Sequence, residues 1–301
     1  MADRRDGTRS VVWRRRWACI VAGTIVLGLA GCGSGQASVR QAPATTAIAP
    51  PGPARAPGNG LPTAASEQAA LQRLERLALP VFCGGRHGKL VALTFDDGPG
   101  RYTHLALREL RRAGERATFF LVGNNIARFP DTAKPERALA AIGDHTMSHP
   151  NLRSLAFADA MAEVRNGRQA ALTAVGPPVD LFRPPFGAHT GELDQQVALD
   201  GMVEVLWDVD SLDSRVSPPA DYREISSTVR RNIRAGSIVL MHENRGQTIR
   251  ALRGILPSLR RRGLRSVTVP ELLAADPPST AQLQAGREGC GPSVPGARSG
   301  G

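Results

Sequence analysis

Residues 90–99 read Leu-Val-Ala-Leu-Thr-Phe-Asp-Asp-Gly-Pro, an apolar run that stops at two neighbouring carboxylates and a turn. A short apolar run bounded by a Gly-Pro turn is typical of a buried strand. Carboxylates at a strand end suit a divalent cation, and His145 and His149, four residues apart, would share one face of a helical turn. Together these patterns predict a metal site with three side-chain ligands, an open position for water, and a carboxylate beside it as a general base.

Short apolar runs of the same kind recur along the chain, at residues 117–122, 139–142, 181–182, 203–209, 237–241 and 266–269. Helical periodicity separates most of them and is clearest over residues 103–113, 157–175, 222–233 and 247–262. Strands that alternate with helices predict an α/β protein with a parallel sheet. With about seven strands in roughly 200 residues, a (β/α) barrel is the most economical arrangement.

Polar residues follow several of these predicted strands at the point where each strand ends. Asp96, His145, Arg183, Asp213 and His242 all occupy such positions. Because the carboxyl ends of parallel barrel strands share one face, we expect these side chains to converge on one pocket.

The N-terminus has the three parts of a secretory signal, with arginines at residues 14–16, an apolar stretch over residues 17–30 and small residues before Cys32. Leu-Ala-Gly-Cys at residues 29–32 resembles the bacterial lipoprotein signal, which is cut before the cysteine that then carries a lipid. We therefore expect residues 1–31 to be removed and the protein to be anchored through Cys32 at the outer face of the cytoplasmic membrane, facing the cell wall. An ordinary cleaved signal with a chance cysteine is the alternative, and the export route stays open.

The chain is basic, with a formal net charge of +11, and loss of the six arginines and two aspartates before Cys32 leaves +7. Such a domain would be attracted to anionic lipids and anionic wall polymers. Binding to nucleic acid is disfavoured, because the positive residues are scattered and Trp207 is the only tryptophan beyond the signal.

Composition predicts the domain boundaries. Residues 32–65 are rich in Ala, Pro, Gly, Thr and Ser and predict an extended linker. Apolar positions over residues 66–79 predict a short amphipathic helix that opens a domain reaching residue 276. Beyond it, residues 277–301 return to a Pro, Gly and Ser composition that predicts a flexible tail.

Two cysteines remain after the signal and the lipidated residue, Cys83 before the first strand and Cys290 in the tail. In an oxidising compartment such a pair is expected to form a disulfide, although free thiols are the alternative. The bridge would tie the two ends of the domain together.

Five segments resemble, in order and spacing, the motifs of the polysaccharide deacetylases, also called carbohydrate esterase family four. They are Thr-Phe-Asp-Asp-Gly-Pro at residues 94–99, His-Thr-Met-Ser-His at 145–149, Arg-Pro-Pro-Phe-Gly at 183–187, Asp-Ser-Leu-Asp at 210–213 and Leu-Met-His at 240–242. The resemblance covers roughly residues 88–273. It implies a deformed (β/α) barrel and the hydrolytic removal of acetyl groups from acetylated sugars.

The resemblance also implies roles for individual residues. Asp97, His145 and His149 would hold a divalent metal ion, usually zinc, with Co²⁺ and Ni²⁺ as alternatives. Asp96 would be the base that takes a proton from the attacking water, and His242 the acid that protonates the leaving amine.

Further residues would support this chemistry. Arg183 would pair with the base, and Asp213 would orient either Arg183 or His242. The residues expected to contact substrate are Pro184, Phe186, through its backbone N–H, and Leu240, in the acetyl pocket. One departure from the family pattern is Ser214, which stands where an aromatic residue usually follows the second Asp of the fourth motif.

The predicted substrate is an N-acetylated cell-wall glycan, with peptidoglycan favoured and acetyl-xylan and chitooligosaccharides as alternatives. We expect a monomer. A lipid-anchored protein that binds glycan without turnover is the rival interpretation. A serine esterase is disfavoured because no Gly-x-Ser-x-Gly segment occurs. A glycosidase is disfavoured because two adjacent carboxylates cannot flank a sugar.

Overall fold

Parallel strands form a curled sheet with helices on its outer side in the computed structural model, which describes residues 60–291. In chain order the strands are β1 Leu90–Gly98, β2 Ala117–Leu121, β3 Ala140–Asp144, β4 Leu181–Phe182, β5 Val203–Glu204, β6 Val209–Asp210, β7 Ile238–His242 and β8 Arg265–Ser266. Their spatial order is β5-β4-β3-β2-β1-β7-β6, and β8 pairs with β1 at its start. The predicted α/β class and deformed (β/α) barrel are confirmed.

Helices connect most of these strands. They are α1 Ala64–Glu75, α2 Thr103–Ala113, α3 Gly123–Arg128, α4 Ala133–Arg137, α5 Phe157–Val175, α6 Gly191–Leu199, α7 Tyr222–Asn232, α8 Gly246–Arg261, α9 Val269–Ala275 and α10 Thr280–Gln284. Short 3₁₀ turns lie at Leu152–Ser154, Pro185–Gly187 and Gly286–Cys290. Among the residues that the structure describes, no helix has the length and apolar character needed to cross a membrane.

The barrel is distorted where β5 and β6 should meet. These strands follow each other in the chain but lie at opposite ends of the strand order, so the single strand predicted over residues 203–209 is wrong. The Asp208 carboxylate accepts a hydrogen bond from the Ile238 N–H (2.9 Å), which replaces a backbone ladder bond at this point. A segment before β1 contributes to closure, because Val81 forms a parallel bridge with Val205.

Alternation along β1 separates two environments. Val91, Leu93 and Phe95 pack outward into the cluster shared with the helices. Ala92 belongs instead to the cluster inside the barrel. By the two-residue period of a strand, Thr94 shares the side of Ala92 and faces the barrel interior. The polar end of β1 is therefore aimed into the barrel mouth.

The C-terminal segment is folded further than composition indicated. Ser279 and Gln282 form a capping box at the start of α10, and Leu283 is buried. The prediction of a flexible tail from residue 277 is therefore wrong as far as residue 291. The Ser-x-x-Gln pattern at residues 279–282 was the available signal.

The predicted disulfide between Cys83 and Cys290 is present and joins residues 207 positions apart. A loop of that length gives a stabilisation of up to about 5 kcal/mol in the chain-entropy model.

At the N-terminal end of the described residues, Thr63 caps α1, which begins two residues before the predicted helix. The predicted signal peptide, Cys32, the linker up to residue 59 and residues 292–301 lie outside the described residues.

Candidate active site

Asp96 and Asp97 lie at the carboxyl end of β1, where the strand is irregular. A shift of register against β2 falls between Phe95 and Gly98, and Asp97 has a positive φ of 66°. In a regular strand, neighbouring side chains point to opposite faces. Here the bulge turns Asp97 back, so that Asp96 Oδ2 and Asp97 Oδ1 each lie 3.7 Å from His145 Nε2. Both carboxylates therefore face one pocket.

Asp97, His145 and His149 bring one ligand atom each to within 4.8 Å of one another. Asp97 Oδ1 lies 3.2 Å from His149 Nε2. Among the described residues, no hydrogen-bond donor is directed at this buried oxygen. A buried carboxylate oxygen without a donor, facing two imidazole nitrogens, fits a divalent cation.

The protonation states also suit metal ligation. His145 Nδ1 lies 2.6 Å from the Arg183 carbonyl oxygen, so Nδ1 carries the hydrogen and the Nε2 lone pair faces the cluster. Burial lowers the pKa of His145 despite the nearby carboxylates, which favours the neutral ring. Burial alone would raise the pKa of Asp97, but the surrounding imidazoles lower it below its ordinary value, so this ligand is ionised.

The two histidines are not on a helix, and the predicted helical turn is wrong. They lie in the loop after β3, in which Thr146 and His149 have positive φ values of 66° and 63°. Asp144 accepts the Thr146 N–H (3.0 Å), and Thr146 Oγ1 accepts the His149 N–H (3.0 Å). These hydrogen bonds between side chains and the backbone hold the loop in a shape that brings the two imidazole rings together.

Asp96 is held by a buried arginine, as predicted. Arg183 Nη1 donates to Asp96 Oδ1 and to Thr94 Oγ1, both at 2.7 Å. The rest of the guanidinium donates to the carbonyl oxygens of Val205 (2.8 Å) and Leu206 (3.1 Å). Because the arginine is 0% exposed, this network fixes the direction of the Asp96 carboxylate.

His242 is paired with Asp213 on the opposite side of the pocket. His242 Nδ1 lies 2.7 Å from Asp213 Oδ1, and Asp213 Oδ2 accepts the His242 N–H (2.7 Å) and the Thr248 hydroxyl (2.6 Å). Asp213 therefore orients His242 and has no contact with Arg183, which decides between the two predicted partners. Burial opposes the charged ring, yet Asp213, Asp96 and Asp97 together raise the pKa of His242 to about 9.

This pKa predicts how activity depends on pH. If protonated His242 donates a proton in the reaction, turnover falls as pH rises through the pKa of the folded protein. Asp213→Asn removes the carboxylate that favours the charged ring, so we expect the alkaline limb of the kcat profile to move to lower pH. The exposed and distant Asp131→Asn is the control. An unchanged alkaline limb in Asp213→Asn would contradict the pairing.

Several residues at the site were missed by the sequence interpretation. Asn244 donates to Asp97 Oδ2 (3.0 Å), and Asn125 donates to the Asp97 carbonyl oxygen (3.0 Å). Glu243, which from sequence could lie at the rim or behind the site, is 0% exposed and accepts the Thr103 hydroxyl. Burial raises its pKa to about 8. A Cβ at Gly98 would overlap the Glu243 carboxylate, which explains the glycine after the Asp pair.

The predicted substrate-contacting residues surround the same pocket. Phe186 is 67% exposed, has a positive φ of 62°, and stacks edge-on against His149 with ring centroids 4.8 Å apart. Pro184 is buried and directly precedes the 3₁₀ turn that contains Phe186. Leu240 is buried on β7, two residues before His242.

Comparison with known proteins places this arrangement in a family. The family model described as polysaccharide deacetylase matches residues 84–205. A peptidoglycan-N-acetylglucosamine deacetylase of Bacillus cereus is 35% identical over 190 residues, covering 62% of this chain and 88% of that protein. The chain belongs to the polysaccharide deacetylase family. It is accordingly a hydrolase of the deacetylase class, and the Asp97, His145 and His149 cluster agrees with the metal dependence of this family.

Other relatives of the polysaccharide deacetylase family agree with this assignment. A chitooligosaccharide deacetylase of a Bradyrhizobium species is 33% identical, covering 60% of this chain and 90% of that protein. The crystal structure of a peptidoglycan N-acetylglucosamine deacetylase superposes with a TM-score of 0.62 at 30% identity, covering 64% of this chain and 92% of that one. Each of these matches covers about three fifths of this chain and about nine tenths of the relative.

Proposed function

We propose that this deacetylase removes N-acetyl groups from peptidoglycan. The observation that carries the proposal is the arrangement of two oriented pairs, Asp96 with Arg183 and His242 with Asp213, on either side of a cluster suited to a metal ion. Hydrolysis of an unreactive amide needs a base for water, an acid for the leaving nitrogen and stabilisation of developing charge. A protein that only binds glycan has no need for both oriented pairs.

Asp97, His145 and His149 would hold the metal ion. Two imidazoles and one carboxylate favour zinc, with Co²⁺ and Ni²⁺ as alternatives. A bound divalent ion would acidify a water molecule and polarise the acetyl carbonyl group.

The side chains around the cluster would carry the proton transfers. Asp96, aimed by Arg183, would take the proton from the attacking water. His242, charged at neutral pH because its pKa is raised to about 9, would donate its Nε2 proton to the leaving nitrogen while Nδ1 stays bonded to Asp213. The Phe186 N–H would stabilise the developing oxyanion, and Leu240 would contact the acetyl methyl group.

The sugar would bind against apolar groups on two loops. Ser214 removes the aromatic wall usual in the family, but Phe186 is 67% exposed and Leu212 is 39% exposed. Exposed apolar side chains beside a polar pocket can pack against the apolar face of a sugar ring. Peptidoglycan is favoured over other glycans because the named relatives include peptidoglycan deacetylases and the sequence of residues 1–32 resembles an export signal.

Cell-wall peptidoglycan would be reached from the membrane surface. The lipoprotein motif ending at Cys32 and the Pro-rich linker after it would hold the basic domain outside the cytoplasmic membrane, within reach of the wall. Cys32→Ser should move the protein from the membrane fraction to the soluble fraction. Retention of this variant in the membrane fraction would contradict lipid anchoring at this residue.

Acetate release distinguishes the substrates. We expect purified protein supplied with zinc to release acetate from peptidoglycan with a higher kcat/KM than from chitooligosaccharides or acetyl-xylan. Faster release from either of the other glycans would assign the protein to that substrate. Folded, metal-loaded protein that releases acetate from none of them would favour the glycan-binding interpretation.

A further inference from the structure

We propose that the protein has a second divalent-cation site, formed by His189, Asp194 and Glu204. It is separate from the Asp97, His145 and His149 cluster and shares no residue with it. The site would clamp the loop that carries Phe186 onto the edge of the barrel. This inference goes beyond the proposed deacetylase reaction and does not depend on it.

The three residues come from neighbouring elements on one side of the barrel. His189 ends the loop after β4, Asp194 lies in the first turn of α6, and Glu204 ends β5. In the parallel pairing of β4 with β5, Glu204 is in register with Phe182, directly before Arg183. The fold therefore brings His189 close to Glu204, although these residues are 15 positions apart in the sequence.

The distances suit a single small cation. His189 Nδ1 lies 3.0 Å from Asp194 Oδ1 and 3.1 Å from Asp194 Oδ2. The same nitrogen lies 3.6 Å from Glu204 Oε1. Ligand bonds of about 2.0–2.2 Å in a tetrahedral zinc site place neighbouring ligand atoms about 3.3–3.6 Å apart. The observed separations need only small side-chain movements to reach that arrangement.

Glu204 supplies an independent reason to expect a cation. Its side chain is only 3% exposed, and among the described residues no hydrogen-bond donor reaches either carboxylate oxygen. The group within hydrogen-bond reach is another carboxylate, that of Asp194. Burying an ionised carboxylate without a donor is unfavourable, and the neighbouring carboxylate of Asp194 adds repulsion. A divalent cation would remove both costs, because it binds the two carboxylates and the neutral imidazole together.

The electrostatics also indicate a competing state of the site, in which no metal ion is bound. Burial, followed by the charge of Asp194, raises the pKa of Glu204 well above its ordinary value. Without a cation, Glu204 would be protonated and hydrogen-bonded to Asp194, whose carboxylate would also contact His189 Nδ1. The metal-bound site and the site with protonated Glu204 therefore differ in the metal content of the protein.

Occupancy of the site would affect the loop over the active site. Residues 183–189 carry Arg183 and the exposed Phe186, whose backbone is in the left-handed region. A cation bound to His189 at the end of this loop would fix the loop to α6 and β5. We expect the second ion to act by positioning this loop, with no contact to the reacting atoms.

Metal content tests the proposal directly. Protein equilibrated with zinc and then dialysed against zinc-free buffer is analysed for zinc per chain. We expect two zinc ions in the wild type, one in His189→Gln, one in Glu204→Gln and one in Asp97→Asn, which tolerates the left-handed backbone at that position. Glu192→Gln is the matched control, because Glu192 is exposed and lies in the same first turn of α6; this variant should keep two ions.

A thermal measurement guards against misfolding of the buried Glu204 variant. His189 has a side-chain exposure of 31%, so His189→Gln should fold. In the Asp97→Asn background, added zinc should raise the Tm, and the His189→Gln, Asp97→Asn double variant should show no rise. One zinc ion per wild-type chain, or two ions retained in both His189→Gln and Glu204→Gln, would overturn the proposal in favour of the protonated pair.

Discussion

Asp96→Asn should lower kcat/KM by about 10²–10⁴-fold, because an amide cannot take the proton that the attacking water loses. The fold should survive this substitution. The amide oxygen of asparagine can still accept the hydrogen bond that Arg183 Nη1 donates at 2.7 Å. The metal cluster is also retained, since Asp97, His145 and His149 are unchanged. Acetate release under initial-rate conditions, with zinc content measured on the same sample, checks the expectation.

The control for this variant is Asp131→Asn, which makes the same chemical change at an exposed position outside the site. It should keep wild-type kcat/KM. Near-wild-type turnover in Asp96→Asn would mean that another group is the base. A loss of bound zinc in Asp96→Asn would mean that the Asp96 carboxylate is a metal ligand, which is the role proposed for Asp97.

Arg183→Met should have the largest effect on stability among the site variants. Removing the guanidinium leaves the Asp96 carboxylate, 4% exposed, without its charged partner. Breaking a buried ion pair by removing one partner lowers the free energy of unfolding by about 3–5 kcal/mol. The carbonyl oxygens of Val205 and Leu206 would also lose their donors. Urea denaturation measures the change, and kcat/KM should fall with it because Asp96 is no longer aimed.

Two further variants separate charge from geometry at this position. Arg183→Lys keeps a positive charge but cannot reproduce the planar fork of four hydrogen bonds, so its stability should fall between those of Arg183→Met and the wild type. Arg165→Met removes a surface arginine paired with Asp200 and should cost no more than about 1 kcal/mol. Equal, small losses in Arg183→Met and Arg165→Met would contradict the structural role given to Arg183.

The sequence predicted the strand ends and the polar residues that occupy them. This was possible because a buried strand needs a continuous apolar run, and the run must stop where the chain meets the pocket. Asp96, Arg183, Asp213 and His242 could therefore be placed at one face from the sequence alone. The family resemblance then predicted which carboxylate pairs with Arg183.

Local backbone geometry could not be predicted in the same way. The spacing of His145 and His149 fits a helical turn, yet a loop with left-handed residues at Thr146 and His149 brings the rings together. The bulge that turns Asp97 toward Asp96 depends on pairing with β2, which is distant in sequence. The division of residues 203–209 into two strands likewise depends on the Asp208 side chain bonding to β7. Each outcome rests on tertiary contacts, which local patterns do not encode.

The contacts of Glu243 and Asn244 were missed for a related reason. Glu243 and Asn244 follow His242 directly and have no spacing that marks them as part of a site. Their contacts, to Thr103 and to Asp97, arise only once β1 and β7 are paired. Glu204 was missed because it lies inside a predicted strand, where a single charged residue is unremarkable in sequence but informative once its burial is known.

Acetate release from peptidoglycan before and after removal of divalent metal tests whether this chain is a metal-dependent deacetylase that acts through the Asp97, His145 and His149 cluster. We expect protein shown by elemental analysis to be metal-free to lose activity, and added zinc to restore it. Asp97→Asn should stay inactive at the same zinc concentration. Undiminished acetate release by the metal-free protein, or full activity in Asp97→Asn, would contradict the account.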